Sequence, residues 1–323
     1  MSKLPEKYKF IDLSDYGRPV GHWIASQLQN SLFTPIHVTT MFIVAGLIAI
    51  ALMIKGYYIT ASFFIILKSI LDAADGELSR LKKTPSYVGR YYDSIADFLL
   101  NFSFLLAFWY ITESSIVYMF IAFFAIQLQG TVYNYYYVIL RNSVQGDSTS
   151  RIFEAGAPKA LKGESQQMVN IFYKIYDILY ISFDKIMYYM DKDAKDSPPF
   201  PKWFMTILSM YGLGFQLLIM ALMLSFNLKS YVIPFFIVYS IFLVVFVGIR
   251  KFVLKWYSLD FFSSTFKTFS KMHIFITGVA GFLGSNLADF YLKKNYKVSG
   301  CDTLIGGSID NLDKKVNFYK VNC

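Results

Sequence analysis

The chain of 323 residues is 55% apolar, 19% aromatic and only 16% charged, where an ordinary soluble domain is about a quarter charged. Thirty-two Phe and 25 Tyr exclude intrinsic disorder, and two cysteines, Cys301 and Cys323, exclude a disulfide-stapled secreted domain. The formal charge of +9 lies between long uncharged stretches, a pattern of membrane orientation and not of a nucleic-acid binder.

In chain order, residues 1–36 are a polar, mixed-charge segment in which Trp23, Ile24 and Leu28 suggest a surface helix, and no cleavable leader is expected in it. A helix needs about 20 apolar residues to cross roughly 30 Å of hydrocarbon. Residues 38–54, 116–140, 203–228 and 230–249 contain no Asp, Glu, Lys or Arg. Residues 56–75 and 91–112 are long enough but carry Lys68, Asp72, Asp75, Asp93 and Asp97. The expected fold class is an all-α polytopic membrane protein of six transmembrane helices, followed by a partial α/β Rossmann-like segment. Arg80, Lys82, Lys83 and Arg90, with Arg250, Lys251 and Lys255, fall in loops on one side, and only Lys55 and Lys229 on the other. The positive-inside bias then puts both termini and the acidic helix ends in the cytoplasm.

Between the fourth and fifth spans, Met168, Ile171, Phe172, Ile175, Leu179, Phe183, Ile186 and Met190 recur every three or four residues. This is an amphipathic helix that either lies at the membrane interface or packs on the spans. It ends before the breaker Ser197-Pro198-Pro199-Phe200-Pro201.

The densest information is Asp72-Ala-Ala-Asp75-Gly76-Glu-Leu-Ser79-Arg80, eight further residues, and then Gly89-Arg-Tyr-Tyr-Asp93-Ser-Ile-Ala-Asp97. Residues three and four apart share a helix face, so Asp72 and Asp75 project together, as do Asp93 and Asp97. A thirteen-residue connection makes the two helices antiparallel neighbours, so four carboxylates converge. Such a cluster needs compensating charge, and an all-oxygen donor set suits Mg²⁺ or Mn²⁺, most simply as two ions. Gly76 leaves the helix backbone open to a ligand, and Arg80 is one turn on, placed to meet a phosphate. The bland alternative is an interfacial acidic patch paired with Lys68, Arg80 and Arg90.

This run resembles the signature of the CDP-alcohol phosphotransferase (phosphatidyltransferase) family, D-x-x-D-G-x-x-A-R followed by G-x-x-x-D-x-x-x-D, with Ser79 in the place of its usual Ala. The resemblance extends over about residues 30–255 and implies a six-span domain, 37–255. It implies that Asp72, Asp75, Asp93 and Asp97 hold the metal ions and that Asp97 is the catalytic general base. Gly76, Ser79, Arg80 and Gly89 would form the cytidine diphosphate pocket. The donor would be a CDP-alcohol, CDP-diacylglycerol being one candidate, and the acceptor a small alcohol or polyol phosphate, with CMP released at the bilayer; a homodimer is left open. Pro35-Ile36-His37-Val38-Thr39 echoes the family's Pro-Asn-x-x-Thr, with Ile36 in place of Asn. Thr39 then reaches either the diphosphate or its own helix backbone, and His37 reads as interfacial and not as a ligand. Lys68, Arg141, Arg250 and Lys251 are candidate ligands for an acceptor phosphate, and membrane anchoring explains the last three equally well.

After a linker at 256–271 the pattern changes. Residues 272–323 read as strand, Gly-rich turn, helix and second strand, with Gly278, Gly281 and Gly284 in the turn and Asp302 closing the second strand. Glycines there let a backbone approach a pyrophosphate, and the acid can accept ribose hydroxyls. The segment resembles the start of NAD-dependent nucleotide-sugar epimerases and dehydratases. It is expected to be the front of a truncated second domain in which NAD is not bound. The alternative functions are accordingly a piece of a bifunctional protein with an epimerase half and, in a different class, a cation transporter.

Overall fold

The computed structural model describes residues 4–144, 156–197, 199–254, 273–294 and 296–321, so the expected linker at 256–271 and the residue Met272 lie outside the described residues. Contacts divide the chain into two units, Met1–Phe252 and Val253–Cys323.

The first unit is helical: α1 (Arg18–Leu28), α2 (Pro35–Ile54), α3 (Tyr58–Lys82), α4 (Tyr87–Thr112), α5 (Ile116–Ser143), α6 (Gln166–Met190), α7 (Lys202–Leu208), α8 (Leu213–Ser225), α9 (Val232–Tyr239) and α10 (Ile241–Gly248). Several boundaries are written locally. The Thr34 side chain accepts from the His37 N–H, and the Thr34 N–H donates to His37 Nδ1 at 3.0 Å, with Pro35 opening α2. His37 therefore serves as a cap. Lys83 ends α3 in the left-handed region (φ 54°), and Ser86 caps α4 by accepting from the Gly89 N–H. Only residues 83–86 separate the two helices, so the expected thirteen-residue connection is mostly helix.

Among the described residues, four helical stretches are long and apolar enough to cross a membrane: Pro35–Ile54, Tyr87–Thr112, Ile116–Ser143 and Lys229–Phe252. Lys202–Tyr211 with Leu213–Ser225 would make a fifth, although the pair is bent by 53°. The six spans expected from the sequence are thus four or five by length and composition. Helix α3 has the length, but Lys68, Asp72, Asp75, Glu77, Arg80 and Lys82 depress its hydropathy.

The expected span over 203–228 is thus bent, and Ser14 packs at the bend. A Cβ on Gly214 would lie 1.9 Å from the Ser14 carbonyl oxygen, and one on Gly212 would lie 2.3 Å from Ser14 Cβ. The N-terminal turn Leu13–Asp15 occupies the notch, with the Leu13 N–H donating to Ser209 Oγ at 2.8 Å. Helix α1 exists as expected, but its glycine face packs on α3: a Cβ on Gly21 would sit 3.0 Å from the Ala74 nitrogen. Trp23 on α1 is exposed.

Phe42, Ile65, Leu78, Phe104 and Phe108 are fully buried where α2, α3 and α4 meet. In hydrocarbon, burial alone does not drive helices together, so close packing and polar contacts hold the bundle. Gly46 admits Leu100, which a Cβ would meet at 2.8 Å. Gln129 donates to the Phe236 carbonyl at 3.2 Å and to Ser240 Oγ at 2.7 Å, and Gln216 donates to Gln129 at 3.1 Å, tying α5 to α8 and α9. Helix α6 does pack on the bundle: Phe172, Tyr173, Tyr176 and Leu179 join Tyr91 and Ile95 of α4 in one cluster. Met168, Ile171, Ile175 and Ile178 stay exposed on its other side.

The second unit is a parallel sheet in the order β1 (His273–Thr277), β2 (Lys297–Asp302), β3 (Asn317–Lys320), with α11 (Phe282–Lys293) crossing from β1 to β2. Ile276, Val279, Ala288, Val298 and Val316 form its small core.

Candidate functional site

Because α3 continues past Asp75 to Lys82, the whole first half of the acidic motif is helical, and Asp93 and Asp97 lie on α4 beside it. Asp72, Asp75 and Asp93 converge: one carboxylate oxygen from each lies within 4.8 Å of the others. Asp75 is buried and receives the Thr39 hydroxyl at 2.7 Å on Oδ2. The same hydroxyl lies 3.1 Å from the Pro35 carbonyl, so Thr39 does reach its own helix backbone, and it also supports the acid directly. Asp93 Oδ1 is buried without a hydrogen-bond partner. A buried carboxylate oxygen without a donor is costly unless a cation meets it. With an all-oxygen donor set and no His or Cys in the group, the three residues fit a hard divalent ion.

Asp97, the fourth carboxylate, is turned to Lys68. The Lys68 side chain is 1% exposed, lies 2.9 Å from Asp72 Oδ2 and is ion-paired to Asp97. Its ammonium also stands over the Phe42 ring, 4.5 Å from the centroid. Lys68 is therefore a member of the acidic centre, which corrects its reading as a ligand for an acceptor phosphate.

The centre opens on a cavity of about 440 Å³, within the range of small-molecule sites. All four aspartates line it, as do Gly76 and Arg80. Apart from its own helix backbone, among the described residues only the Arg80 guanidinium comes within 4 Å of where a Gly76 Cβ would be, at 3.6 Å, so the helix backbone faces the cavity openly. Arg80 is held by Glu77 at 2.7 Å, and its Nε is buried with no partner. Ser79 and Gly89, expected in the same pocket, are not on the cavity wall. Ser79 Oγ donates to the Thr84 carbonyl at 3.2 Å and the Gly89 N–H to Ser86 Oγ at 2.8 Å, so both shape the turn between α3 and α4.

The other candidate cations are also off the wall. Arg250 is buried, with Nε 2.5 Å from Asp191 Oδ2 and Nη1 2.8 Å from Ser197 Oγ, and Tyr136 donates to the same carboxylate at 2.6 Å. Arg141 is buried with its guanidinium over the Tyr137 ring at 5.7 Å, and Lys251 is exposed.

Sequence reasoning missed the opposite wall. Asp12, Ser14, Asp15 and Arg18 come from the N-terminal segment, Tyr133, Asn134 and Tyr137 from α5, Tyr176, Tyr180 and Asp184 from α6, and Gln216 from α8. The available signal was the polar run Asp12-Leu-Ser-Asp15, together with Gln127, Gln129 and Asn134 inside an otherwise apolar span.

In the second unit, Gly278 has φ 68°, a left-handed turn that suits glycine. A Cβ on Gly284 would lie 2.2 Å from the Gly278 carbonyl oxygen, so α11 can approach the turn only with glycine there. Gly281 caps α11. The carboxylate of Asp302 accepts from the Leu304 and Ala280 N–H groups, each at 2.9 Å. These donors, Leu304 first, hold its carboxyl below the usual range, and its Oδ2 braces the glycine turn through Ala280.

The apolar helices suggest an integral membrane protein, and the acidic cluster they enclose could hold a metal ion. Residues 32–160 match the CDP-alcohol phosphatidyltransferase family model, which covers α2 to α5 and the whole acidic motif, and residues 274–323 match the NAD dependent epimerase/dehydratase family. No curated protein and no solved structure matches the chain.

Proposed function

We propose that this chain is a membrane-embedded transferase that moves a phosphoalcohol or phosphatidyl group from a CDP-alcohol to a hydroxyl acceptor with release of CMP. The observation that carries the reading is the convergence of Asp72, Asp75 and Asp93 around the partnerless Asp93 oxygen, within the stretch that matches the family. These three residues would hold divalent metal, Mg²⁺ or Mn²⁺, whose chemistry is to neutralise the diphosphate and the charge that develops on the departing CMP. Arg80 meets a phosphate oxygen, and the open backbone at Gly76 admits the nucleotide. Asp97, oriented by Lys68, takes the acceptor's proton. The acceptor oxygen bonds to the phosphorus distal to cytidine, the bridging P–O bond breaks, and its electron pair leaves with CMP. Helix α3 crosses the membrane as a sixth span because its charged face turns inward to the cavity, and the site and both termini face the cytoplasm.

The test is CMP release by the purified full chain in lipid, given a CDP-alcohol and hydroxyl acceptors. Release is expected only with divalent cation, and Asp93→Asn and Asp97→Asn are expected to lower it at least about a hundredfold. Unchanged turnover in either variant would refute the roles assigned.

A further inference from the structure

The cavity's charge balance bears on what the acceptor is, an inference that rests on the transferase reading above. Beyond the four aspartates of the centre, Asp12, Asp15 and Asp184 also line the cavity, against only Arg18 and Arg80 among its described residues. Both arginines already face carboxylates: Arg18 lies 2.5 Å from Asp15 and 3.6 Å from Glu77, and Arg80 is 2.7 Å from Glu77. Lys68 is enclosed between Asp72 and Asp97, and Arg250 is bound to Asp191 and Ser197. Any metal charge is matched by the carboxylates that would hold it and by the donor's diphosphate. The lining thus offers no cation in surplus to a second phosphate.

What it does offer is hydroxyl and amide groups. Ser14, Thr131, Tyr133, Asn134, Tyr137 and Gln216 line the wall contributed by the N-terminal turn, α5 and α8. Some are pre-oriented: Tyr133 donates its hydroxyl to Asp12, which also receives the Ser14 hydroxyl at 2.7 Å, and Gln216 is anchored to the Ile126 carbonyl at 3.1 Å. Fixed neutral donors and acceptors recognise several hydroxyls of one molecule, whereas a dianionic phosphate there would meet carboxylates. We propose that the acceptor is a neutral polyhydroxylated alcohol bearing no phosphate group, bound by the wall that Ser14, Tyr133, Asn134 and Gln216 share.

The experiment compares free and phosphorylated acceptors on the full chain in lipid nanodiscs, with Mg²⁺ and with CDP-diacylglycerol or CDP-glycerol as donor. The pairs are glycerol with glycerol 3-phosphate and inositol with inositol phosphate, and ethanolamine and serine serve as amino-alcohol acceptors. A free polyol is expected to support CMP release with kcat/KM at least about tenfold above that of its monoester. A monoester that equals or exceeds its polyol, or an amino alcohol that exceeds both, overturns the acceptor class and leaves the transferase reading standing. No metal-dependent CMP release with any pairing overturns the transferase reading and this inference with it. Asn134 is exposed in the cavity wall, so Asn134→Lys adds a cation at little packing cost. It is expected to shift the preference toward the monoester at least about tenfold, and an unmoved ratio overturns the electrostatic argument.

Discussion

The Thr39 hydroxyl donates to Asp75 Oδ2 at 2.7 Å, so the start of α2 holds a carboxylate that α3 presents to the acidic centre. A hydrogen bond to a charged group is worth about 1.5–3 kcal/mol, or roughly ten- to a hundredfold in rate if the arrangement is needed in the transition state. Thr39→Val is expected to lower metal-dependent CMP release by that factor and to raise the Mg²⁺ concentration for half-activity. Thr39→Ser keeps the donor and should stay close to the parent. If the two variants behave alike in a Mg²⁺ titration, the bond does not position Asp75.

Arg250 and Asp191 are paired in a buried setting, with Tyr136 and Ser197 completing their hydrogen bonds. Removing one partner of such a pair leaves the other charge buried and typically costs about 3–5 kcal/mol. Arg250→Met should therefore depress the Tm of the detergent-solubilised protein far more than Lys251→Met at the neighbouring exposed position. The double variant Asp191→Asn/Arg250→Met should recover part of the loss. Equal Tm values for the two single variants would show that the pair contributes nothing.

At Gly214 a side chain has no room, since a Cβ would lie 1.9 Å from the Ser14 carbonyl oxygen, whereas at Gly248 no described residue beyond its own helix backbone lies within 4 Å. Gly214→Ala is expected to dislodge the Leu13–Asp15 turn, to expose its amides to hydrogen exchange and to lower turnover at least about tenfold. Gly248→Ala should leave both unchanged. Protection of residues 13–15 that survives in Gly214→Ala would mean that the bent helix, and not the N-terminal turn, gives way.

Glu164 supports the N-terminus of α4, accepting from Ser86 Oγ at 2.7 Å and from the Val88 N–H at 2.9 Å. Partial burial pushes its carboxyl up, but the donors of Ser86, Val88, Tyr87 and Leu161 together outweigh this and hold it below the usual 4.5. A carboxyl with a depressed folded-state pKa contributes stability above its unfolded value and loses it as pH falls through the folded value. Glu164→Gln should thus be less stable than the parent at pH 7, with the Tm gap closing as pH falls below 4.5. A gap independent of pH would show that the charge of Glu164 is not what matters.

Much of this protein was legible in the sequence, because its clearest signals are local. The uninterrupted apolar runs at 38–54 and 116–140 have one stable form in hydrocarbon, where every backbone polar group must bond within its own helix. The three- and four-residue spacing of Asp72, Asp75, Asp93 and Asp97 set helix faces directly, and the glycines from Gly278 to Gly284 announced the turn that the second unit makes. The tertiary structure decided what depends on partners distant in the chain. Lys68 became part of the centre because α4 brings Asp97 to it. The bent stretch 203–228 has Ser14, some two hundred residues earlier, in the notch at Gly212 and Gly214. The far wall of the cavity assembles from the N-terminal turn, α5, α6 and α8. Periodicity reports which face of a helix is polar, while which segments meet across a cavity is settled only by packing, and that packing makes the acidic motif one side of a cavity whose other side carries hydroxyls and amides.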